Sequence, residues 1–204
     1  MRATAVQLHI SLDQVKPKVW RRVLVPITWN LERLHLVIQA AFNWKNCHSY
    51  EFQMGGLRFG DKRVLDEYAS PESAQVFEHR AVTLRDFVRP GASFTYAYDF
   101  GDDWRHTIKI EKYLAPDPAL STADCIGGAG ATPPEDVGGP PGYADFLAVM
   151  ADPRSPEHAS TKRWCGGQFD PSWFDLAVVK ADVANALKPN VRRALHQPKF
   201  KVAR

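Results

Sequence analysis

The chain has 204 residues, of which 45% are apolar and 24% charged, and its formal net charge is +3. This is the composition of a globular protein with one sizeable core, or a domain with an appendage, and the charge alone does not mark a nucleic-acid binder. No apolar run approaches the roughly 18–20 residues that span a bilayer, and the N-terminal MRATAVQLHISLD lacks the apolar block of a secretory signal, so a cytoplasmic protein without membrane contact is expected.

Residues 4–12 alternate with period two, placing Val6, Leu8, Ile10 and Leu12 on one face of a strand. Lys16-Pro17-Lys18 turns the chain, and VWRRVLVP returns as the second strand of a hairpin. Thr28 or Asn30 can cap a helix from Leu31, whose stripe of Leu34, His35, Ile38, Ala41 and Phe42 packs on that hairpin. YEFQM and LRFG are short strands joined at Gly55-Gly56. Residues 61–80 are charged and weakly patterned and read as a surface loop, after which Thr83 caps a short helical turn. ASFTYAYDF and WRHTIKIEKYL form a last hairpin.

From Ala115 the composition turns to glycine and proline with no strand or helix pattern, which indicates an ordered functional loop or a flexible linker. Three helical segments follow, YADFLAVMAD, PEHASTKRW and FDLAVVKADVANAL. The expected class is α+β: a β-grasp-like mixed sheet with one packed helix, then a Gly/Pro-rich loop and C-terminal helices. The boundaries are 1–114 for the sheet domain, 115–142 for the loop, and 143–204 for a helical part packed on the sheet and ending in a basic tail.

The stretch Tyr96–His106, YAYDFGDDWRH, sets three carboxylates around one glycine. A three-residue loop, Gly101 to Asp103, pairs Phe100 with Trp104, Tyr98 with His106 and Tyr96 with Ile108, so that one face is aromatic and aliphatic apart from His106, and a five-residue loop is read as keeping the same register. The other face then opposes Asp99 to Arg105. Asp102 and Asp103 serve as turn residues. His106 reads as a core histidine bonded to a neighbour such as Tyr98, or else as a metal ligand or general base.

Several segments together resemble the plasmid pRiA4b ORF-three-like family, some members of which are labelled insertion-element passenger proteins. They are KPKVWRRVLVP, LERLHLVIQAAFNW, HSYEF, YAYDFGDDWRHTI, CIGGAGATPPEDVGGPPGYADFL and FDPSWFD. The resemblance covers nearly the whole chain and implies an α+β fold with no settled activity. Family members often carry cysteines in the loop as C-x-x-G-x-x-x-C-P-P-E-D-C; this chain keeps Cys125 but has Thr132 and Val137 at the other two positions. It also has Tyr50 where the family often has His. Both departures count against a metal site, so no metal and no cofactor are expected.

The leading functional expectation is a non-catalytic binding or adaptor module of a mobile element or plasmid, with nucleic acid or protein as partner. Phosphate contacts would come from the basic tail, with Arg192, Arg193, Lys199 and Lys201 as candidates, and from the cluster Lys16, Lys18, Arg21 and Arg22. A protein partner would use an exposed sheet edge, or a groove lined by Trp44, Trp164, Trp173 and Phe174. The alternative is a metal-dependent hydrolase built from His48, Asp102, Asp103 and His106, with Glu135 and Asp136 of the loop folding over them.

Overall fold

The computed structural model describes residues 4–67, 75–87, 89–115, 122–188 and 197. The alternating N-terminal segments form β1 (Ala5–Leu12) and β2 (Trp20–Pro26), paired antiparallel with Leu8 opposite Val23. Then come α1 (Leu31–Ala41), β3 (Tyr50–Met54), β4 (Leu57–Gly60), α2 (Lys62–Glu67), β5 (Val76–Glu78), and α3 (Leu84–Phe87). The last hairpin is β6 (Ser93–Tyr98) and β7 (Trp104–Leu114), followed by β8 (Asp124–Ala129), α4 (Gly139–Ala151), α5 (His158–Trp164) and α6 (Leu176–Ala184).

All eight strands join one sheet in the order β5-β4-β3-β6-β7-β1-β2-β8, and only the β4–β5 pair is parallel. The α+β class therefore holds, while this strand order gives the β-grasp-like detail no specific support. One sheet face carries Val6, Leu8, Ile10, Val23, Val25, Tyr96, Tyr98, Trp104 and Ile108 into a core shared with Leu31, Leu34 and Ile38 of α1. Asn30 caps α1 by accepting from the Arg33 amide at 3.0 Å, and Asp175 caps α6 through the Ala177 and Val178 amides. Tyr143 and Phe146 of α4 and Val179 and Val183 of α6 belong to the same core.

Three sequence expectations need correction. Residues 61–80 are not simply a loop, because α2 and the short strand β5 lie within them. The Gly/Pro segment contains β8, an edge strand hydrogen-bonded to β2. The last hairpin is shifted by two residues: Tyr98 faces Trp104, Tyr96 faces His106 and Phe94 faces Ile108. The shift preserves the side-chain faces, as an even slip must. Its cause is the turn. Asp99 and Asp103 both adopt left-handed backbone (φ 58° and 53°), the Asp99 carboxylate accepts from the Gly101 amide, and Asp103 N–H donates back to Asp99 O. The loop thus runs from Asp99 to Asp103. Arg105 pairs with Asp103 at 2.8 Å rather than with Asp99.

The start of α4 is pinned to this turn. Gly138 N–H donates to the Asp102 carboxylate at 3.2 Å, and Gly139, at φ +68°, lies so close that a Cβ would stand 2.3 Å from Asp102 O. Asp102 is a fastener between the hairpin tip and α4. Gly139→Ala should cost about 2 kcal/mol or more, since the residue would be strained in its backbone and blocked by a carbonyl. A urea midpoint equal to wild type would disprove that close approach.

Candidate metal centre

Three segments, none near another in sequence, meet at one end of the β3–β6–β7 region. The first is the connection from α1 to β3, which carries Cys47 and His48. The second is the turn residue Asp99. The third is the loop residues Glu135 and Asp136. His48 Nε2 lies 3.0 Å from Asp136 Oδ1, 3.5 Å from Asp99 Oδ2 and 4.0 Å from Glu135 Oε2. Four donors around an ion at roughly 2.1 Å stand about 3.4 Å from one another, so the separations from His48 to Asp136 and Asp99 are close to coordination spacing and the one to Glu135 is longer. His48 Nε2 and Glu135 Oε2 are both buried, and neither has a hydrogen-bond partner among the described residues.

The surroundings fix Glu135. Its side chain is 6% exposed, and its Oε1 accepts from the Lys45 amide at 2.6 Å and from the Tyr98 hydroxyl at 3.2 Å. These two donors leave Oε2 directed at His48. Burial pushes the Glu135 carboxyl upward in pKa, the first cost of holding a carboxylate there. Tyr98 also accepts from the Cys47 amide at 3.1 Å, and burial raises its hydroxyl far above the usual range, so it remains a donor at neutral pH. Asp136 is the opposite case: its side chain is 68% exposed. Asp99 and Asp136 both sit at positive φ, 58° and 57°, an uncommon conformation for non-glycine residues, and both carboxylates lie beside His48.

The loop reaches the corner because of Arg21. β2 alternates, so Arg21 falls in phase with Val19, Val23 and Val25 and points into the protein, where it is 3% exposed. Its guanidinium donates to Ala41 O, Trp20 O, Ala129 O, Gly130 O and Thr132 Oγ1, and lies over the rings of Phe42 and Phe174. One side chain thus ties the end of α1, which leads to His48, to the loop, which leads to Glu135. Burial lowers its pKa to about 10, which still leaves it charged at neutral pH.

Beside the corner is a cleft of about 250 Å³ lined by Trp44, Lys45, Pro133, Glu135, Asp136 and Trp164, among others. Trp164 is half exposed at its lip, whereas Trp44 is buried and stacked on Tyr98. Trp173 and Phe174 do not share this cleft; they line a separate hollow beside Arg21.

Of the residues nominated from sequence, the structure brings together His48, Glu135 and Asp136. Asp102 and Asp103 belong to the turn, bonded to Gly138 and Arg105. His106 is fully buried, packed edge-on against Phe42 and Trp44, with Nδ1 donating to the carbonyls of Trp104 and Tyr96. The nominated tail residues Arg192, Arg193, Lys199 and Lys201 lie outside the described residues. The sequence reading missed Asp99, which it assigned to Arg105, and Cys47.

The family model described as plasmid pRiA4b ORF-3-like protein matches residues 4–178. The chain belongs to this family. It is 46% identical over 170 residues to the uncharacterized protein y4hQ of Sinorhizobium fredii (strain NBRC 101917 / NGR234), an alignment spanning 81% of this chain and 83% of that one. It is also similar to the crystal structure of the protein of unknown function MM3350 from Methanosarcina mazei Go1. The TM-score there is 0.75 at 30% identity, covering 87% of this chain and 98% of that one. Among the described residues, no helix is long and apolar enough to cross a membrane. The Asp99, Glu135 and Asp136 carboxylates and His48 all lie within the span that the family model matches.

Proposed function

We propose that this chain is a metal-dependent hydrolase, with a divalent ion held at the corner of His48, Asp99, Glu135 and Asp136 and its ligand in the adjoining cleft. The reading is supported by one observation: His48 shares one three-donor set with Asp99 and Asp136 and another with Cys47 and Glu135, drawn from separate segments, with His48 Nε2 and Glu135 Oε2 buried and without hydrogen-bond partners among the described residues. Buried polar atoms seldom remain unsatisfied, and a cation satisfies both at once. A bound divalent ion supplies an activated water at neutral pH. The chain's own groups divide the remaining work. Glu135, fixed by Lys45 N–H and Tyr98, is a rigid ligand; Asp136, exposed beside the cleft, can accept a proton from that water; Lys45 offers a cation to an anionic ligand. The earlier expectation of no metal rested on thiolates missing at Thr132 and Val137 and on Tyr50 in place of a histidine, and the donors of this corner are different residues.

The non-catalytic binding or adaptor reading uses the same cleft and differs in outcome, with uptake of an ion or ligand and no turnover. For a phosphate-contacting role of the first hairpin, Arg21 is buried and Arg22 is taken up by Glu111 at 2.7 Å, which leaves Lys16 and Lys18 exposed. Elsewhere on that open sheet face Arg58 is paired with Glu51 and Arg105 with Asp103.

EDTA-treated protein titrated calorimetrically with zinc and with manganese should bind one equivalent of ion. His48→Ala and Glu135→Gln should weaken binding by about 100-fold or more, since losing even an outer partner of a ligand costs 10–100-fold. Asp103→Asn, whose side chain pairs with Arg105 and not with the corner, should bind as wild type does. Wild type that takes up neither ion at millimolar concentration would sink the reading. Ion uptake without ion-dependent cleavage of p-nitrophenyl phosphate or p-nitrophenyl acetate would favour the binding module.

A further inference from the structure

Cys47 immediately precedes His48 and belongs to a three-donor set that contains neither Asp99 nor Asp136. Its thiol is exposed, whereas Cys125 and Cys165 are buried. Cys47 Sγ, a ring nitrogen of His48 and a carboxylate oxygen of Glu135 all lie within 4.8 Å of one another. A second set, His48, Asp99 and Asp136, satisfies the same limit and shares the histidine. The corner therefore offers one ion a choice between a purely nitrogen–oxygen environment and one that includes sulfur.

Local structure favours the sulfur set. Tyr98 holds both of its outer members, accepting from the Cys47 amide and donating to Glu135 Oε1. The same hydroxyl lies 3.8 Å from Cys47 Sγ, and the Tyr98 ring is stacked on buried Trp44 at 5.0 Å. Glu135, with its side chain 6% exposed and its Oε2 without a hydrogen-bond partner among the described residues, belongs to the set. Asp136, the most exposed carboxylate, is the member most easily given up to water or a ligand. Ligands that are braced by packing and outer hydrogen bonds define a site more firmly than ligands that are not.

We infer that Cys47 is a thiolate ligand, and that Cys47, His48 and Glu135 select a thiophilic ion of the zinc class over magnesium, calcium or manganese. The inference rests on the metal-binding reading above. It goes beyond that reading by naming the ion class and a ligand outside the nitrogen–oxygen set. Thiolate and imidazole favour zinc and its neighbours, whereas all-oxygen cages suit magnesium, calcium and manganese. Bond lengths of roughly 2.3 Å to sulfur and 2.0–2.2 Å to nitrogen and oxygen require the three donors to close by little more than an ångström.

The test is cobalt substitution of EDTA-treated full-length protein, read by absorption. Wild type should develop a near-ultraviolet thiolate-to-cobalt band at one equivalent, and zinc should displace the cobalt. Cys47→Ser should lose the band while still binding cobalt, with zinc affinity reduced by about 10-fold or more. Zinc should also protect Cys47 from iodoacetamide in unmodified wild type, a readout that needs no variant to fold. Cobalt bound without the band, or manganese bound as tightly as zinc, would overturn the inference and leave the nitrogen–oxygen site standing. Failure of wild type to bind cobalt or zinc at all would remove both.

Discussion

Arg21→Met should destabilise the protein by at least about 4 kcal/mol, well beyond the usual effect of one substitution. Methionine matches much of the arginine stem but leaves the acceptors Ala41 O, Trp20 O, Ala129 O, Gly130 O and Thr132 Oγ1 without their donor. A buried acceptor left unpaired costs about 1–3 kcal/mol, so a few of the five suffice. The contrary argument is that a buried charge is costly, and that replacing a buried ion pair with apolar groups is often neutral. It does not apply here, because the guanidinium is held by carbonyls, a hydroxyl and two aromatic rings, and the contacts to Ala41 O, Gly130 O and Thr132 Oγ1 are buried. Arg21→Lys should be nearly as damaging, since one ammonium cannot reach three segments in the way a planar fork does. Urea unfolding measures both. A midpoint for Arg21→Met within error of wild type would refute the anchoring role.

The second large effect is on acid stability. Burial drives the pKa of His106 from 6.5 down to about 3 in the folded protein. Between those values the unfolded chain binds a proton that the folded chain refuses. Stability conferred by the neutral ring is therefore complete above pH 6.5 and is lost as pH falls toward 3. The slope approaches about 1.4 kcal/mol per pH unit, and the loss reaches on the order of 4 kcal/mol at the acid end. Glu111 adds to the loss at lower pH, because the hydrogen bonds from Arg22 lower its pKa to about 2. Glu135 acts in the opposite direction, its carboxyl being raised by burial, so it loses stability as pH rises through its folded value. His106→Leu isolates the histidine. The variant should be somewhat less stable at pH 7, having given up the bonds to Tyr96 O and Trp104 O, yet its stability should change much less between pH 6.5 and 4. An unchanged pH slope in the variant would show that the ring is protonated in place or is not the group responsible.

Much of the fold could be read from local pattern, because period and cap carry it. β1 and β2 followed from alternation, α1 from its stripe and a cap at Thr28 or Asn30, and α6 from the run FDLAVVKADVANAL, whose cap Asp175 was not singled out. β8 could not be read, because DCIGGA has little apolar alternation. Its glycines are there for contact: a Cβ at Gly128 would meet the Phe174 ring at 2.6 Å. The hairpin register failed for a related reason, since two aspartates adopt the backbone usually left to glycine. Arg21 was legible and was misread. It lies in phase with the valines of β2, yet its charge drew it into a surface patch. His48, Glu135 and Asp136 were nominated by residue type, but their convergence with Asp99 depends on where the loop lands, and that is decided by buried hydrogen bonds with no periodicity to betray them. His106 was rightly placed on the apolar face, which is also what removes it from the corner.

The positions of the corner residues, 48, 99 and 135–136, have a mechanical consequence. An ion there would act as a removable cross-link joining segments tens of residues apart, closing loops whose entropy cost grows only slowly with length. Because it binds the folded chain alone, it would add to stability by mass action, about 2.7 kcal/mol at a free concentration 100 times its dissociation constant. The gain would be greatest where the chain opens most readily. Amides of residues 130–138 should exchange with solvent through local opening in the free protein and slow markedly once the clasp is closed. Metal supply would then set how long this segment survives a protease as well as whether the site can act.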